Sequence, residues 1–479
     1  LKSQPSRRTI LKGAAAASIA AVLPGVAEAG KSESSGRRSN IILYISDQFR
    51  WDFLGANGRN HSTRTPNLDA LAARGKNFTH AVSNQPVCAP SRSVLMTSRY
   101  ATETGVWRNG LGLDRTLPTL ASELRKAGYS TNYIGKWHLA PGDEKDGGGD
   151  GAVKAGFRGG FDDLWEGANA LELTSHPYEG TIWDRDSNPI TYKDEYRVDF
   201  LTDRAERFLR QKHDRPFLLC ISQLEPHQQN DMHQPIAPNG ATKHFLNATA
   251  PEDLRAQPGF WQAQLPDYYG CIEAIDQSVG RIRKILEEEG LADNTIFVFL
   301  SDHGCHFGTR NTEYKRSTHN SSIRVPLIID GPGFEGAQQI PEIVGLIDVA
   351  PTILDAVGAP VPATWKGRSV LPIIRDPAAR QQWPNEQLVQ ISESMTGRAI
   401  RTRDWTYCVA DVSGARTAAA KTYTEYQMYD QGADPNELVN LAGRQEYRQK
   451  ANELRESLKR LLASAGEPEA EILHAPLYP

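Results

Sequence analysis

Cysteine is scarce in this chain: 479 residues contain five, at positions 88, 220, 271, 305 and 408. Five scattered cysteines exclude the disulfide framework that staples small secreted folds. A surplus of either charge is also missing. Lys and Arg number 54 against 58 Asp and Glu, a formal charge of -4. No run of Lys and Arg forms the basic stripe that tracks a phosphate backbone, so nucleic acid is not an expected partner. Long apolar runs are absent too. The stretch Ala14 to Leu23 has ten residues, half of the roughly 20 that a spanning helix needs. Nothing comparable follows it, so no membrane span is expected. There is no internal repeat. With 39% hydrophobic and 23% charged residues, the composition is that of a globular protein, long enough for one large domain and a smaller appendage.

The first 29 residues read as a targeting segment. Ser6-Arg7-Arg8-Thr9-Ile10-Leu11-Lys12 resembles a twin-arginine export signal, the short apolar stretch follows it, and Ala27-Glu28-Ala29 offers a small-residue cleavage site. Residues 1–29 are therefore expected to engage the twin-arginine export machinery. Residues 30–39, rich in Ser, Gly and Arg, read as a linker, and the protein is expected to be periplasmic or secreted.

Asn40 to Asp47 has the near-continuous apolar pattern of a strand buried on both faces, and it ends in a carboxylate. Three further segments share that form: Thr131 to Lys136, Phe217 to Ser222 running toward His227, and Thr295 to Leu300 leading into Ser301-Asp302-His303. Helical stretches separate them, from Pro66 to Arg74, Pro118 to Ala127, Tyr196 to Lys212 and Tyr268 to Glu289. This alternation predicts an α/β fold, a large and mostly parallel sheet covered by helices on both faces. Polar residues collect just past the strand C-termini, where open α/β sheets place their sites. The stretches from Gly142 to Gly160 and from about Pro226 to Pro266 read as long loops, which in compact domains often carry function. A composition shift near Asp376 to Pro384 separates a catalytic domain over 40–380 from a C-terminal subdomain over 381–479. Short antiparallel strands (Leu388 to Ile391, Trp405 to Val409) and an amphipathic terminal helix, roughly Glu446 to Ser464, are expected there.

Residues 88 to 99, Cys-Ala-Pro-Ser-Arg-Ser-Val-Leu-Met-Thr-Ser-Arg, carry the most specific signal. As local structure, Pro90 and Ser91 suit the first turn of a helix. As a motif, the dodecamer resembles the maturation signature of the formylglycine-dependent type I sulfatases of the alkaline phosphatase superfamily. Other segments of that family follow the same order: Asp47-Gln48, Thr65-Pro66-Asn67-Leu68-Asp69, Gly135-Lys136-Trp137-His138-Leu139, Ser301-Asp302-His303-Gly304, Lys315 with Ile323-Arg324-Val325-Pro326, and Asp348 to Leu354. Tyr429-Asp430, Asp434-Pro435-Asn436-Glu437 and Asn440-Leu441 match its C-terminal part. The likeness spans about residues 40 to 445.

The resemblance implies that a formylglycine-generating maturation enzyme oxidises Cys88 to an aldehyde, whose hydrate attacks the sulfur of a sulfate ester. It implies that Asp47, Gln48, Asp302 and His303 hold a divalent cation, with the group derived from Cys88 as a further ligand. Oxygen-rich ligands suit Ca²⁺, with Mg²⁺ possible. Gln48 and His303 stand where many members have Asp and Asn, which removes negative charge from the site. Arg92, one helical turn past Cys88, is within reach of the hydrate and the sulfate. Lys136 and Lys315 are implied to bind sulfate oxygens, His138 to act as the base that releases sulfate, and His227 as the acid for the leaving alcohol. Cys305 reads as packing, and His306 and His319 as outside the reacting shell. The expected substrate is a sulfated polysaccharide or oligosaccharide, or another sulfate ester. Two alternatives stay open: a phosphonate monoester or phosphodiester hydrolase using the same site, and a glycan-binding protein whose site has decayed.

Overall fold

Every residue of the strand Asn40–Asp47 is buried, as its apolar run predicts. The structure, a computed structural model, describes residues 38–143 and 148–477. The expected export segment therefore lies outside the described residues, as does most of the linker. Side chains of a strand point alternately to opposite faces. Ile41, Leu43 and Ile45 accordingly enter one apolar core, and Ile42 and Tyr44 another. Thr295–Ser301 and Phe217–Pro226 flank this strand in parallel. They divide their side chains in the same way, with Val298 and Cys220 on the first core and Phe299 and Ile221 on the second. Ser130–Lys136 and Trp165–Ala168 extend the parallel set.

Toward its edges the eleven-stranded sheet turns mixed, and only its five-stranded centre is parallel throughout. Leu327–Asp330 runs antiparallel to Thr295–Ser301 and to Lys76–Phe78, which pairs in parallel with Gln338–Ile340. At the far edge, Glu179–Asp184 pairs antiparallel with Trp165–Ala168, Ser175–His176 and Pro189–Lys193. Short links such as the one joining Glu179–Asp184 to Pro189–Lys193 can connect only antiparallel neighbours, because a parallel crossover needs a dozen or more residues.

Leu120–Lys126 and Val349–Ala356 pack on the first core, and Pro66–Ala72, Arg197–Leu209 and Trp261–Glu288 on the second. The last of these starts earlier than its sequence suggests and includes Pro266. A proline there removes the bond to the Gln262 carbonyl, but burial of Leu265, Tyr268, Tyr269 and Ile272 in the core outweighs that loss. The stretch expected to be a loop from Pro226 to Pro266 also contains short helices, Ala241–Phe245 and Glu252–Arg255.

Beyond the large sheet, Glu386–Ile391, Gly397–Thr402, Trp405–Ala410 and Thr422–Asp430 form an antiparallel sheet, to which Glu471–Leu473 adds in parallel. Leu454, Leu458 and Leu462 of the terminal helix Arg448–Ser464 share a core with Leu388, Ile400 and Tyr407. Val94, from the helix that begins at Cys88, belongs to the same cluster, so the C-terminal sheet buttresses that helix. Among the described residues no helix is long and apolar enough to cross a membrane.

Candidate active site

Four neighbouring parallel strands deliver the chemistry at their C-terminal ends. Asp47 and Lys136 are the last residues of their strands, His227 follows Pro226 directly, and Asp302 and His303 follow Ser301. This is the edge where open α/β sheets place ligands. Lys136 reaches it through Gly135, whose φ is +107°. A Cβ at Gly135 would stand 2.0 Å from the Ser222 carbonyl oxygen, so only glycine permits this approach of strands. Cys88 enters from the other side as the first residue of the buried helix Cys88–Thr97.

The Cys88 sulfur lies among charged side chains. Lys315 Nζ lies 2.9 Å from it, His303 Nε2 3.4 Å and Asp47 Oδ1 3.7 Å. Burial alone would raise the thiol, yet Lys136, Lys315 and His303 hold it well below the usual range. Lys315 Nζ is also 3.2 Å from both His227 Nε2 and His303 Nε2. Arg92 donates through Nε to Asp302 at 3.0 Å, through Nη2 to Asp47 at 3.2 Å, and through Nη1 to the Lys136 carbonyl and Ser222 Oγ at 2.8 and 2.7 Å. Four of its five N–H groups are thereby committed to the carboxylates and the strand ends.

The residues can hold a cation. Ligand atoms of Asp47, Cys88, Asp302 and His303 all lie within 4.8 Å of one another, and all four residues are buried. His303 Nδ1 meets the Gly304 carbonyl at 2.9 Å, which directs Nε2 into the cluster, as a histidine ligand requires. Gln48 Oε1 is buried without a hydrogen-bond partner. The amide nitrogen of Gln48 is held by Cys305 Sγ at 3.3 Å, and its backbone, at φ 70°, by Tyr268 Oη donating to its carbonyl at 2.5 Å. An orphaned buried oxygen costs free energy unless something occupies it. Burial, and then the adjacent Asp47, push the Asp302 carboxyl upward.

Lys136 Nζ lies 2.8 Å from Asp47 Oδ2 and 3.0 Å from Glu172 Oε1. Burial opposes its charge, but these carboxylates and Cys88 hold the ammonium above its usual range. Burial would raise Glu172, while Lys136 and His138 bring it down to about 2. Three carboxylates (Asp47, Glu172, Asp302) thus face three fixed cations (Arg92, Lys136, Lys315) before any metal or substrate is counted. His138 sits at φ 62° with Nδ1 3.9 Å from Glu172 Oε1, and that nitrogen is buried without a hydrogen bond. His227 Nδ1 meets the Gln228 carbonyl at 2.6 Å, leaving Nε2 toward Lys315 and, at 3.3 Å, Tyr314 Oη.

Glu172 and Tyr314 are absent from the sequence reading. Glu172 follows the next parallel strand over, Trp165–Ala168, so the rule of strand ends could have found it, but that strand is four residues long and contains Gly167. His306 Nε2 holds the Lys315 carbonyl at 3.1 Å, and His319 Nε2 meets Tyr429 Oη at 3.1 Å, so both support the lysine loop. Cys305 is a buried packing thiol, pushed up to about 12 by burial.

A parallel-sheet edge carrying fixed cations and a cluster able to hold a metal ion suits an enzyme that hydrolyses anionic esters. The family model described as Sulfatase matches residues 39–359, and that of N-sulphoglucosamine sulphohydrolase, C-terminal, matches residues 310–464. The chain belongs to the sulfatase family, within the alkaline phosphatase superfamily, and is a sulfuric ester hydrolase. It is similar to the ulvan-active sulfatase of Formosa agariphila, 31% identical over 90% of this chain and 82% of that protein. It is also similar to the N-acetylglucosamine-6-O-sulfatase of Bacteroides thetaiotaomicron, 26% identical over 96% of this chain and 91% of that one. Among solved structures, the phosphonate monoester hydrolase of Agrobacterium radiobacter shares the fold, with a TM-score of 0.69 and 23% identity over 89% of this chain and 96% of that one.

Proposed function

We propose that this enzyme cleaves sulfate esters of a polysaccharide or oligosaccharide, with a formylglycine formed from Cys88 at a divalent-cation site. The observation that supports this most is the setting of the Cys88 sulfur, 2.9 Å from Lys315 Nζ and in the same cluster as Asp47, Asp302 and His303. A hydrated formylglycine supplies one hydroxyl to attack sulfur and a second whose deprotonation releases sulfate. Asp47, Gln48, Asp302 and His303 would hold Ca²⁺, or Mg²⁺, which as a Lewis acid offsets charge on the sulfate oxygens. Lys136 and Lys315 bind those oxygens as point charges. Arg92, with most of its donors committed, keeps the two carboxylates in place. His138 takes the proton from the second hydroxyl, and His227 holds at Nε2 the proton that the leaving alkoxide needs.

The names of the two sulfatase relatives, one ulvan-active and one acting on N-acetylglucosamine, support a glycan substrate. We assign the chemistry to residues 40–380 and a supporting role to 381–479. Residues 1–29 would take the protein through the twin-arginine machinery to the periplasm or beyond, and a formylglycine-generating enzyme would modify Cys88. The Asp47-Gln48 pair, one carboxylate with an amide in place of two carboxylates, favours a second reading, a phosphonate monoester or phosphodiester hydrolase. Mass spectrometry of the Cys88 peptide, then kcat/KM of the matured enzyme on nitrophenyl sulfate and on a phenyl phosphonate monoester, tests both. Preference for the sulfate is expected; preference for the phosphonate by more than tenfold would replace the first reading with the second.

A further inference from the structure

We propose that a cavity of about 650 Å³ beside His227 is the leaving-group subsite, and that it selects a sugar ring with no charge besides the sulfate being cleaved. The inference rests on the sulfatase reading and goes beyond it to the substrate class. Two of its lining residues adjoin His227. Gln228, next to His227, lines it, as does Tyr314, whose hydroxyl is 3.3 Å from His227 Nε2. An alcohol leaving from sulfur and taking a proton from His227 would therefore lie in this space.

Its walls suit a neutral, hydroxylated ring. Gln228, Gln234 and Thr312 offer amide and hydroxyl groups that both donate and accept. Phe260 contributes an aromatic side chain that is 51% exposed. Its main chain is anchored by Phe260 N donating to the Phe307 carbonyl at 2.6 Å, and Gly308, at φ +77°, packs against one side of the ring, where a Cβ would stand 2.7 Å away. An aromatic face in a mainly apolar cavity that also carries amide and hydroxyl groups matches the apolar C–H face and the hydroxyls of a pyranose.

The charge of the walls argues against a second anionic group. Besides the exposed His233, the lining holds two ionic side chains, Glu313 and Arg316, and these pair with each other. Arg316 Nε also meets Glu393 at 3.3 Å, so the one guanidinium of the wall already faces two carboxylates. Of the two lysines near Cys88, Lys136 is occupied by Asp47 and Glu172, and Lys315 by the Cys88 sulfur. A uronate or a second sulfate on the same ring would lose water here without gaining a cation.

The test uses matured full-length enzyme and matched sets of methyl glycosides: a monosulfated neutral sugar, the same sugar with a second sulfate, and its uronate counterpart. kcat/KM is expected to fall at least tenfold on adding either charge. Glu313→Gln, which takes one carboxylate from Arg316, should narrow that gap several-fold. Phe260→Ala should lower kcat/KM for the neutral sugar sulfate by roughly tenfold, chiefly through KM, and leave inhibition by inorganic sulfate unchanged. Equal or better turnover of the doubly charged sugars by the wild type overturns the inference, and so does a Phe260→Ala enzyme with unaltered kinetics on sugar sulfates. If nitrophenyl sulfate is hydrolysed in those cases, the sulfatase reading stands and the subsite assignment alone fails. Hydrolysis of phosphonate but of no sulfate removes both.

Discussion

Arg92 and Arg398 are both buried guanidinium groups, and the molecule uses them in opposite ways. Arg398, in the C-terminal sheet, gives Nε to both oxygens of Glu467 at 2.6 and 2.8 Å and Nη1 to the Gly397 carbonyl at 2.8 Å. One cation meets one carboxylate, and the main chain takes much of the rest. Arg92 is divided between Asp47 and Asp302, while Lys136 also claims Asp47 and His303 approaches both carboxylates. Around it Gln48 Oε1 and His138 Nδ1 are buried without partners. A buried pair whose hydrogen bonds close on the chain is structural. A buried cluster that leaves oxygen and nitrogen unpaired, with one carboxyl pushed upward by its neighbour, is arranged around something the chain alone does not supply.

The most severe test of this contrast is at Cys88. Cys88→Ala and Cys88→Ser are both expected to abolish turnover of every ester while the thermal midpoint stays within a few degrees of wild type. Alanine has nothing to oxidise, and a plain serine has no second hydroxyl with which to expel sulfate. Multiple turnovers by Cys88→Ala would end the covalent mechanism.

Metal removal comes next. Dialysis against a chelator should inactivate the enzyme, and Ca²⁺ or Mg²⁺, but not Zn²⁺ alone, should restore it, because the ligands are mainly oxygen. Asp47→Asn and Asp302→Asn should lose bound metal and activity together. Stoichiometric zinc without an alkaline earth in active protein would contradict the assignment.

A smaller and more selective effect is expected at His227. His227→Ala should slow a sugar sulfate roughly 10²–10⁴-fold more than nitrophenyl sulfate, since a nitrophenolate departs without a proton and a sugar alkoxide does not. His138→Ala should slow both alike, because the role proposed for it follows departure of the alcohol. Equal losses on both substrates for His227→Ala would move the acid elsewhere, with Tyr314 first in line.

The opposite side of the comparison predicts a change in stability with no change in chemistry. Glu467→Ala strands the Arg398 charge, and breaking a buried pair in this way costs about 3–5 kcal/mol. Denaturant unfolding should show that loss, while kcat/KM of the folded enzyme remains that of wild type. A drop in kcat/KM without destabilisation would make the C-terminal pair part of the site.

Much of the catalytic sheet was legible in the chain because its strands are buried on both faces, and continuous apolar runs such as Asn40–Asp47 and Thr295–Ser301 have few other uses. The edges were not legible, since short strands such as Lys76–Phe78 and Ser175–His176 carry too few residues for a pattern. Pro266 misled for a related reason: a local rule about helix starts yielded to the burial of Leu265 and Tyr268.

For the site, sequence alone determined the chemical types and their order. The cysteine motif and the carboxylates and lysine at the ends of strong strands can be named without coordinates, because covalent neighbours and strand ends define them. Tertiary structure alone decided which of those groups meet. Glu172 reaches Lys136 from the end of the neighbouring strand, Tyr314 meets His227 from 87 residues away, and Arg92 turns toward Asp47 and Asp302. Distances of this kind depend on sheet register and on the packing of the helix Cys88–Thr97 against the sheet ends. No local pattern encodes them, since each arises from which buried charges can be satisfied together once water has been excluded.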